Sequence, residues 1–195
     1  MSTRILVIPE DFRKDQYMLK PLIEAMCGYL AKPNAVIRVC TDPLLTGVSQ
    51  AMGRNQLTEI FDRYGGMVDL FILCVDRDCE AGRRSGLSDR EDWAKDACGC
   101  TLIAENAWQE IEVWVLAGHD LPVDWTWAEI RGERDPKEMY FLPLAEQRGL
   151  AATPGEGRKI LAEQASRRYD RIRQLCPEDI VPLESAVREW LAEAV

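Results

Sequence analysis

The apolar positions of this chain alternate between short unbroken runs and runs spaced by three to five residues. Residues 4–9 are β-branched and apolar and end in Pro9-Glu10-Asp11, as a parallel strand covered on both faces would. Over 12–31 the apolar residues Tyr17, Met18, Leu22, Ala25, Met26, Tyr29 and Leu30 recur at helical spacing. A helix is predicted there, bent or restarted near Pro21 and broken by Pro33-Asn34. Residues 35–40 (AVIRVC) predict a second strand, closed by Thr41-Asp42-Pro43. Residues 49–64 predict an amphipathic helix stopped at Gly65-Gly66. The clearest strand is 68–75, which runs into Asp76-Arg77-Asp78. This β-α-β-α-β progression predicts an α/β fold with a mostly parallel, Rossmann-like central sheet flanked by helices.

Beyond it the pattern thins. Residues 81–92, charged and glycine-containing, read as a surface loop, followed by a short helix at 93–97 and a short strand at 101–104. Residues 108–117 read as a helix with Trp108, Ile111 and Val115 turned inward. Residues 123–156 show no clear period, and two helices near 156–175 and 182–194 close the chain. The organisation expected is an α/β core over 1–122 and a helical extension over 123–195 packed on it.

Composition narrows the class. Hydrophobic residues make up 47% and charged residues 29%, an ordinary globular balance. The seven cysteines are odd in number and irregularly spaced, and no secretory signal precedes the first strand, so reduced thiols and a cytoplasmic location are expected. Cys98-Gly99-Cys100 lacks zinc-knuckle spacing and His119 is the single histidine, which argues against a zinc site. No apolar run approaches the ~20 residues that span a bilayer. A net charge of −9 argues against a protein that coats DNA, yet leaves a nuclease open, because a bound cation can neutralise an acidic site locally.

Ligands of open α/β sheets gather beyond the carboxyl ends of the strands. Glu10 follows the first strand, and Asp76 and Asp78 follow the third, with Glu80 close behind. Such oxygen donors suit Mg²⁺ or Mn²⁺. Singly, each of these acids reads as well as a helix cap or a solvated loop residue. Arg77, Arg83, Arg84 and Arg90 surround the Asp-x-Asp segment, and Arg158, Lys159, Arg167, Arg168, Arg171 and Arg173 lie in the late helical part. They suit phosphate, or they are simply solvated charge. Arg167 and Arg171 fall one turn apart on a shared helical face. No P-loop motif occurs.

The pieces ILVIPE (5–10) and LFILCVDRD (70–78) resemble the Toprim domain, with a glutamate after the first strand and Asp-x-Asp after the third. AWQEIEVWVLAG (107–118) and GRKILAEQASRRYDRIRQLCP (157–177) are similar to later segments of the small stand-alone Toprim-like proteins classed as DUF4276. That resemblance implies a metal-dependent phosphodiesterase or nuclease. Glu10 would be the general acid/base, and Asp76 and Asp78 the metal ligands. Glu80 and Glu112 (or Glu110) would be further acidic ligands, although 108–117 also reads as a solvated helix face. Arg77, Arg83, Arg84 and Lys159 would hold phosphate. It further implies a nucleic acid substrate, an ATPase partner and a role in phage defence, while a homo-oligomer stays open. Glu10 follows Pro9 without the glycine common in such enzymes, which motivates a second reading as a non-catalytic Toprim-shaped regulatory or assembly subunit. A flavodoxin-like or response-regulator-like domain is a third reading, since those too place acids at strand ends; Asp76 would be the phosphoacceptor of the latter, but no fifth strand with a lysine is evident.

Overall fold

The computed structural model describes residues 2–193. Four strands, β1 (Arg4–Ile8), β2 (Val36–Val39), β3 (Leu70–Asp76) and β4 (Leu102–Ala107), form one all-parallel sheet in the order β2-β1-β3-β4. Ile5 pairs with Leu70 across β1 and β3, and Asp76 with Ala107 across β3 and β4. Side chains alternate between two buried faces, which is why the inner strands read as unbroken apolar runs. Leu6, Ile8, Phe71, Leu73 and Val75 meet α2 (Val48–Ala51), α3 (Arg54–Tyr64) and α4 (Arg83–Cys98). Ile5, Val7, Leu70, Ile72 and Cys74 face the larger core built from α1 (Phe12–Tyr29), α5 (Glu112–Ala117) and the helices that follow. Those are α6 (Trp127–Gly132), α7 (Leu142–Gln147), α8 (Arg158–Ser166), α9 (Tyr169–Leu175) and α10 (Ile180–Glu193), so residues on both sides of position 122 share that core.

Several elements differ from the sequence expectation. The supposed loop 81–92 is most of the 16-residue helix α4, and the short helix at 93–97 is its final part. Only Leu87 and Ala94 of α4 are buried, so its apolar stripe is too thin to stand out among the solvated charges. It ends at Gly99, left-handed at φ 64°, whose N–H reaches the carbonyls of Ala94 and Lys95. The helix predicted over 49–64 is split at Gly53 into α2 and α3, whereas α1 runs unbroken through Pro21. The fourth strand extends to Ala107, and helix α5 begins only at Glu112, after a turn in which Gln109 takes φ 68°. The segment 123–156 holds α6, opened by a Thr126/Glu129 capping box, and a π-helical turn (Lys137–Phe141) leading into α7. Three helices rather than two close the fold. Arg167 and Arg168 lie in the break between α8 and α9, so Arg167 and Arg171 do not share one continuous helical face. Residues 194 and 195 lie outside the described residues.

β4 is an edge strand, but side chains occupy part of its outward backbone. The N–H groups of Ala104, Asn106 and Trp108 donate to the carboxylates of Glu91 (2.7 Å), Glu105 (2.9 Å) and Asp179 (2.7 Å), and the Ala104 carbonyl accepts from Arg84. Asp179 also accepts from the indole of the buried Trp114 at 2.7 Å and so ties the start of α10 to α5. On the opposite side of the core, α5 and α8 touch at Gly118, where an added Cβ would lie 2.5 Å from Cα and Cβ of Ala165. Gly118→Ala is therefore expected to destabilise the fold by about 1–3 kcal/mol through overpacking, read as a lower urea midpoint. An unchanged midpoint would show that the two helices separate freely.

Candidate functional site

The chain leaves β1 to one side for β2 and places β3 on the other, so a crevice opens at the carboxyl ends of β1 and β3. Two of the sequence-predicted acids, Glu10 and Asp76, meet there. Glu10 lies two residues past β1 and Asp76 ends β3; the backbone N–H of Asp76 donates to Glu10 Oε2 at 3.1 Å. Asp76 Oδ1 accepts from the N–H of Ile111 at 2.8 Å, which locks the strand end to the turn before α5.

Two further carboxylates complete the group. Asp15, in the first turn of α1, accepts from the N–H of Asp11 at 2.7 Å, and Asp11 in turn caps the helix through Arg13 N–H at 3.0 Å. The helix N-terminus favours these negative charges. Asp15 was missed in the sequence, where an acid five residues past Glu10 looks like ordinary first-turn charge. Glu112 is 4% exposed, and all of α5 is buried, which overturns its reading as a solvated face. Its Oε1 accepts from Nη2 of Arg158 at 2.6 Å and from Nε at 2.9 Å. Arg158 is itself fully buried and also reaches Glu156 at 2.8 Å.

Like charges in a poorly hydrated space resist ionisation. Burial, then Glu112, Asp15 and Glu10, push Asp76 well above the usual carboxylate range. Burial, with Glu112 and Glu10 adding to it, raises Asp15 to about 7. Glu10 is raised by burial and by Asp78, against the opposing N–H of Asp76 and charge of Arg83.

Asp78 is close to this group but turned outward. Asp78 and Cys79 take left-handed conformations (φ 52° and 58°), and the loop is stapled to the next turn: Arg77 N–H donates to Gln109 O at 2.9 Å, and Cys79 N–H to Gln109 Oε1 at 2.9 Å. Non-glycine residues in this region are strained, and here the hydrogen bonds over-determine them. Asp78 is half-exposed and faces Arg83 at 3.4 Å. The Nε of Arg83 is buried without a hydrogen-bond partner, so among the predicted phosphate ligands Arg83 stays at the acid group with donor capacity to spare.

The other predicted residues are dispersed. Arg77 stacks on Trp108, its guanidinium 4.0 Å from the ring centre, and Arg84 is engaged with Glu91, Glu105 and the edge of β4. Glu80 accepts from Gly82 N–H and lines a cleft along β4. Glu110 is buried against Lys137, whose N–H and Nζ reach it at 2.7 and 3.2 Å. Lys159 is exposed on α8. Arg90 is spent on the carbonyl of Met52, Arg168 and Arg171 on Asp120, and Arg173 on Glu184. His119 is buried with one ring nitrogen 3.0 Å from Leu161 O and the other 2.9 Å from Arg148; burial and Arg148 push it down to about 4, so it is neutral and structural.

All the donors in the crevice are oxygens, the chemistry that hard divalent cations take. Among the described residues no three acidic, cysteine or histidine side chains stand ready to hold an ion, so holding one requires Glu10, Asp76 and Asp78 to swing together. A cation there would relieve the mutual repulsion that raises Glu10, Asp15 and Asp76.

A second perturbed carboxyl lies apart from the crevice. Burial raises Glu105 to about 7 against the partial relief of Arg84. The folded state then holds this proton more tightly than the unfolded chain. Its stabilising contribution is complete below about pH 4 and is lost as pH rises toward 7. Glu105→Gln is expected to match the wild type at pH 4 and to exceed it by on the order of 1–2 kcal/mol at pH 8, in paired denaturation curves. Parallel curves at both pH values would refute this.

Comparison with known protein families, curated proteins and solved structures finds no match for this chain.

Proposed function

We propose that this chain is a Toprim-like phosphodiesterase, dependent on Mg²⁺ or Mn²⁺, that cleaves nucleic acid. The observation that carries the reading is the meeting of Glu10 and Asp76, 66 residues apart in sequence, at the point where the strand order reverses. The resemblance of residues 5–10 and 70–78 to Toprim supplies the reaction class.

In this reading Glu10, its carboxyl raised by burial, moves the proton of the attacking water or leaving oxygen. Asp76 and Asp78 would hold the cation, with Asp15 in reach and Glu112 restrained by Arg158. When bound, the cation supplies charge stabilisation at the phosphate oxygens. Arg83 donates to a phosphate from the rim beside Asp78. Two left-handed residues after β3 turn Asp78 outward, so it would have to rotate back toward Asp76 to share the cation. Service as an effector beside an ATPase partner in phage defence belongs to the same proposal and rests on the resemblance alone.

The test is cleavage of plasmid and single-stranded nucleic acid with Mn²⁺ or Mg²⁺ by the wild type, Glu10→Ala and Asp76→Ala. Metal-dependent cutting that both variants lose supports the reading. A folded wild type that neither cuts nor binds metal by calorimetry, with or without DNA, removes its basis and favours the non-catalytic subunit.

A further inference from the structure

We propose that the cleft along the outer edge of β4 binds a nucleoside, taking a base that carries an exocyclic amino group, with the attached phosphate at Arg77. This deepens the phosphodiesterase reading and rests on it for the expectation that the substrate is a nucleotide.

The cleft, about 600 Å³, lies between α4 and α10 and is the size of a small-molecule site. Ile103, Pro182, Leu183 and Ala186 give it an apolar lining suited to a flat ring. Asn106 also lines it and is 8% exposed, yet its side-chain amide makes no hydrogen bond with the described residues. Its two amide atoms are therefore free to face the cleft, where a ligand offering a donor and an acceptor would replace the water that reaches them. Beside it is Glu105, 5% exposed. One of its oxygens accepts from the Asn106 N–H, and the other stands 3.6 Å from Arg84, too far for a good hydrogen bond. Two neighbouring acceptors and one donor match a base edge that presents an amino group next to a ring nitrogen.

Arg77 joins the cleft to the crevice. It follows Asp76 directly, lines the cleft, packs on Trp108, and forms no ion pair among the described residues. Its charge is therefore available to an anion. A simple anion fits the cleft poorly, because Glu80, Glu91, Glu105, Glu178 and Asp179 also line it. A purely apolar ligand would leave Asn106 unmet. A molecule with a flat donor-bearing end and one phosphate satisfies both ends of the cleft.

The experiment is isothermal titration of AMP, CMP, UMP and short oligonucleotides into the wild type, Asn106→Ala and Ala186→Phe, with EDTA present so that no divalent cation contributes. Ala186 lies on α10 and its replacement fills the cleft without touching the crevice; unfolding curves confirm that each variant is folded. AMP or CMP is expected to bind about tenfold more tightly than UMP. Asn106→Ala is expected to erase that preference, and Ala186→Phe to abolish binding. Tighter binding of oligonucleotides identifies a nucleic acid strand as the source of the base, and tighter binding of mononucleotides a free nucleotide. The proposal is overturned if nothing binds the folded wild type, or if Ala186→Phe binds as the wild type does. Nucleotide binding without any metal-dependent cleavage would retain the cleft and discard the phosphodiesterase. Cleavage without nucleotide binding would do the reverse.

Discussion

Replacing Arg158 with methionine is expected to lower the unfolding free energy by about 3–5 kcal/mol, read by urea denaturation at pH 7. Arg158 has no exposed surface and Glu112 almost none, and they meet through two hydrogen bonds of 2.6 and 2.9 Å. Methionine keeps much of the packing against Phe141, whose ring lies 5.3 Å from the guanidinium. What it removes is the counter-charge, which leaves a carboxylate stranded beside Asp76, while the carbonyl of Gly155 keeps only the backbone N–H of residue 158 as donor. The double variant Glu112→Gln/Arg158→Met removes both charges and is expected to recover most of the loss, because a buried pair contributes little net stability over a neutral one. A single-variant loss below about 1 kcal/mol would mean that water reaches Glu112 and that this part of the crevice is wet.

The second large effect separates chemistry from folding. Asp76→Asn is expected to reduce metal-dependent cleavage by at least about a hundredfold, since it removes a charged ligand from the proposed centre. The same change is expected to make the metal-free protein more stable by on the order of 1–2 kcal/mol at pH 7.5. The amide oxygen can still accept from Ile111 N–H, so the link to α5 survives while the repulsion from Glu112, Asp15 and Glu10 disappears. Because the folded-state pKa of Asp76 lies above its unfolded value, the wild type gains most from this group at low pH and loses it as pH rises past about 4. The stability gap between variant and wild type should therefore widen from pH 4 to pH 7.5. Inactivation accompanied by a loss of stability would identify Asp76 as a structural carboxylate and weaken its assignment to the centre.

Much of the sheet was readable because a parallel strand buried on both faces leaves an unbroken apolar run, as in Leu70–Val75. The meeting of Glu10 with Asp76 followed from strand ends alone. Helix α4 was not readable, because a helix that buries little beyond Leu87 and Ala94 imposes no period on its charges. The burial of Glu112 was hidden for the opposite reason. Helix α5 is enclosed on every side, so no polar face marks it, and a glutamate in it looks solvated until its partner 46 residues away comes into view. Glu80 stood as near to Asp78 in sequence as Asp78 to Asp76, but two consecutive left-handed residues turn the chain and send it to the neighbouring cleft. Asp15 shows the converse: helix geometry returns it to the crevice although nothing in its sequence neighbourhood marks it.

The side chains seated on β4 also decide how this sheet can take part in assembly. Arg84, Glu91, Glu105 and Asp179 take the N–H groups of Ala104, Asn106 and Trp108 and the carbonyl of Ala104, which interrupts the ladder another strand would need and closes that border to growth. The other border, β2, turns the backbone of Ile37 and Val39 outward, and no side chain among the described residues hydrogen-bonds to them. A sheet with a single open border cannot propagate. Two copies that joined there would form a closed pair related by a twofold axis, with a sealed strand at each end, and no filament could follow.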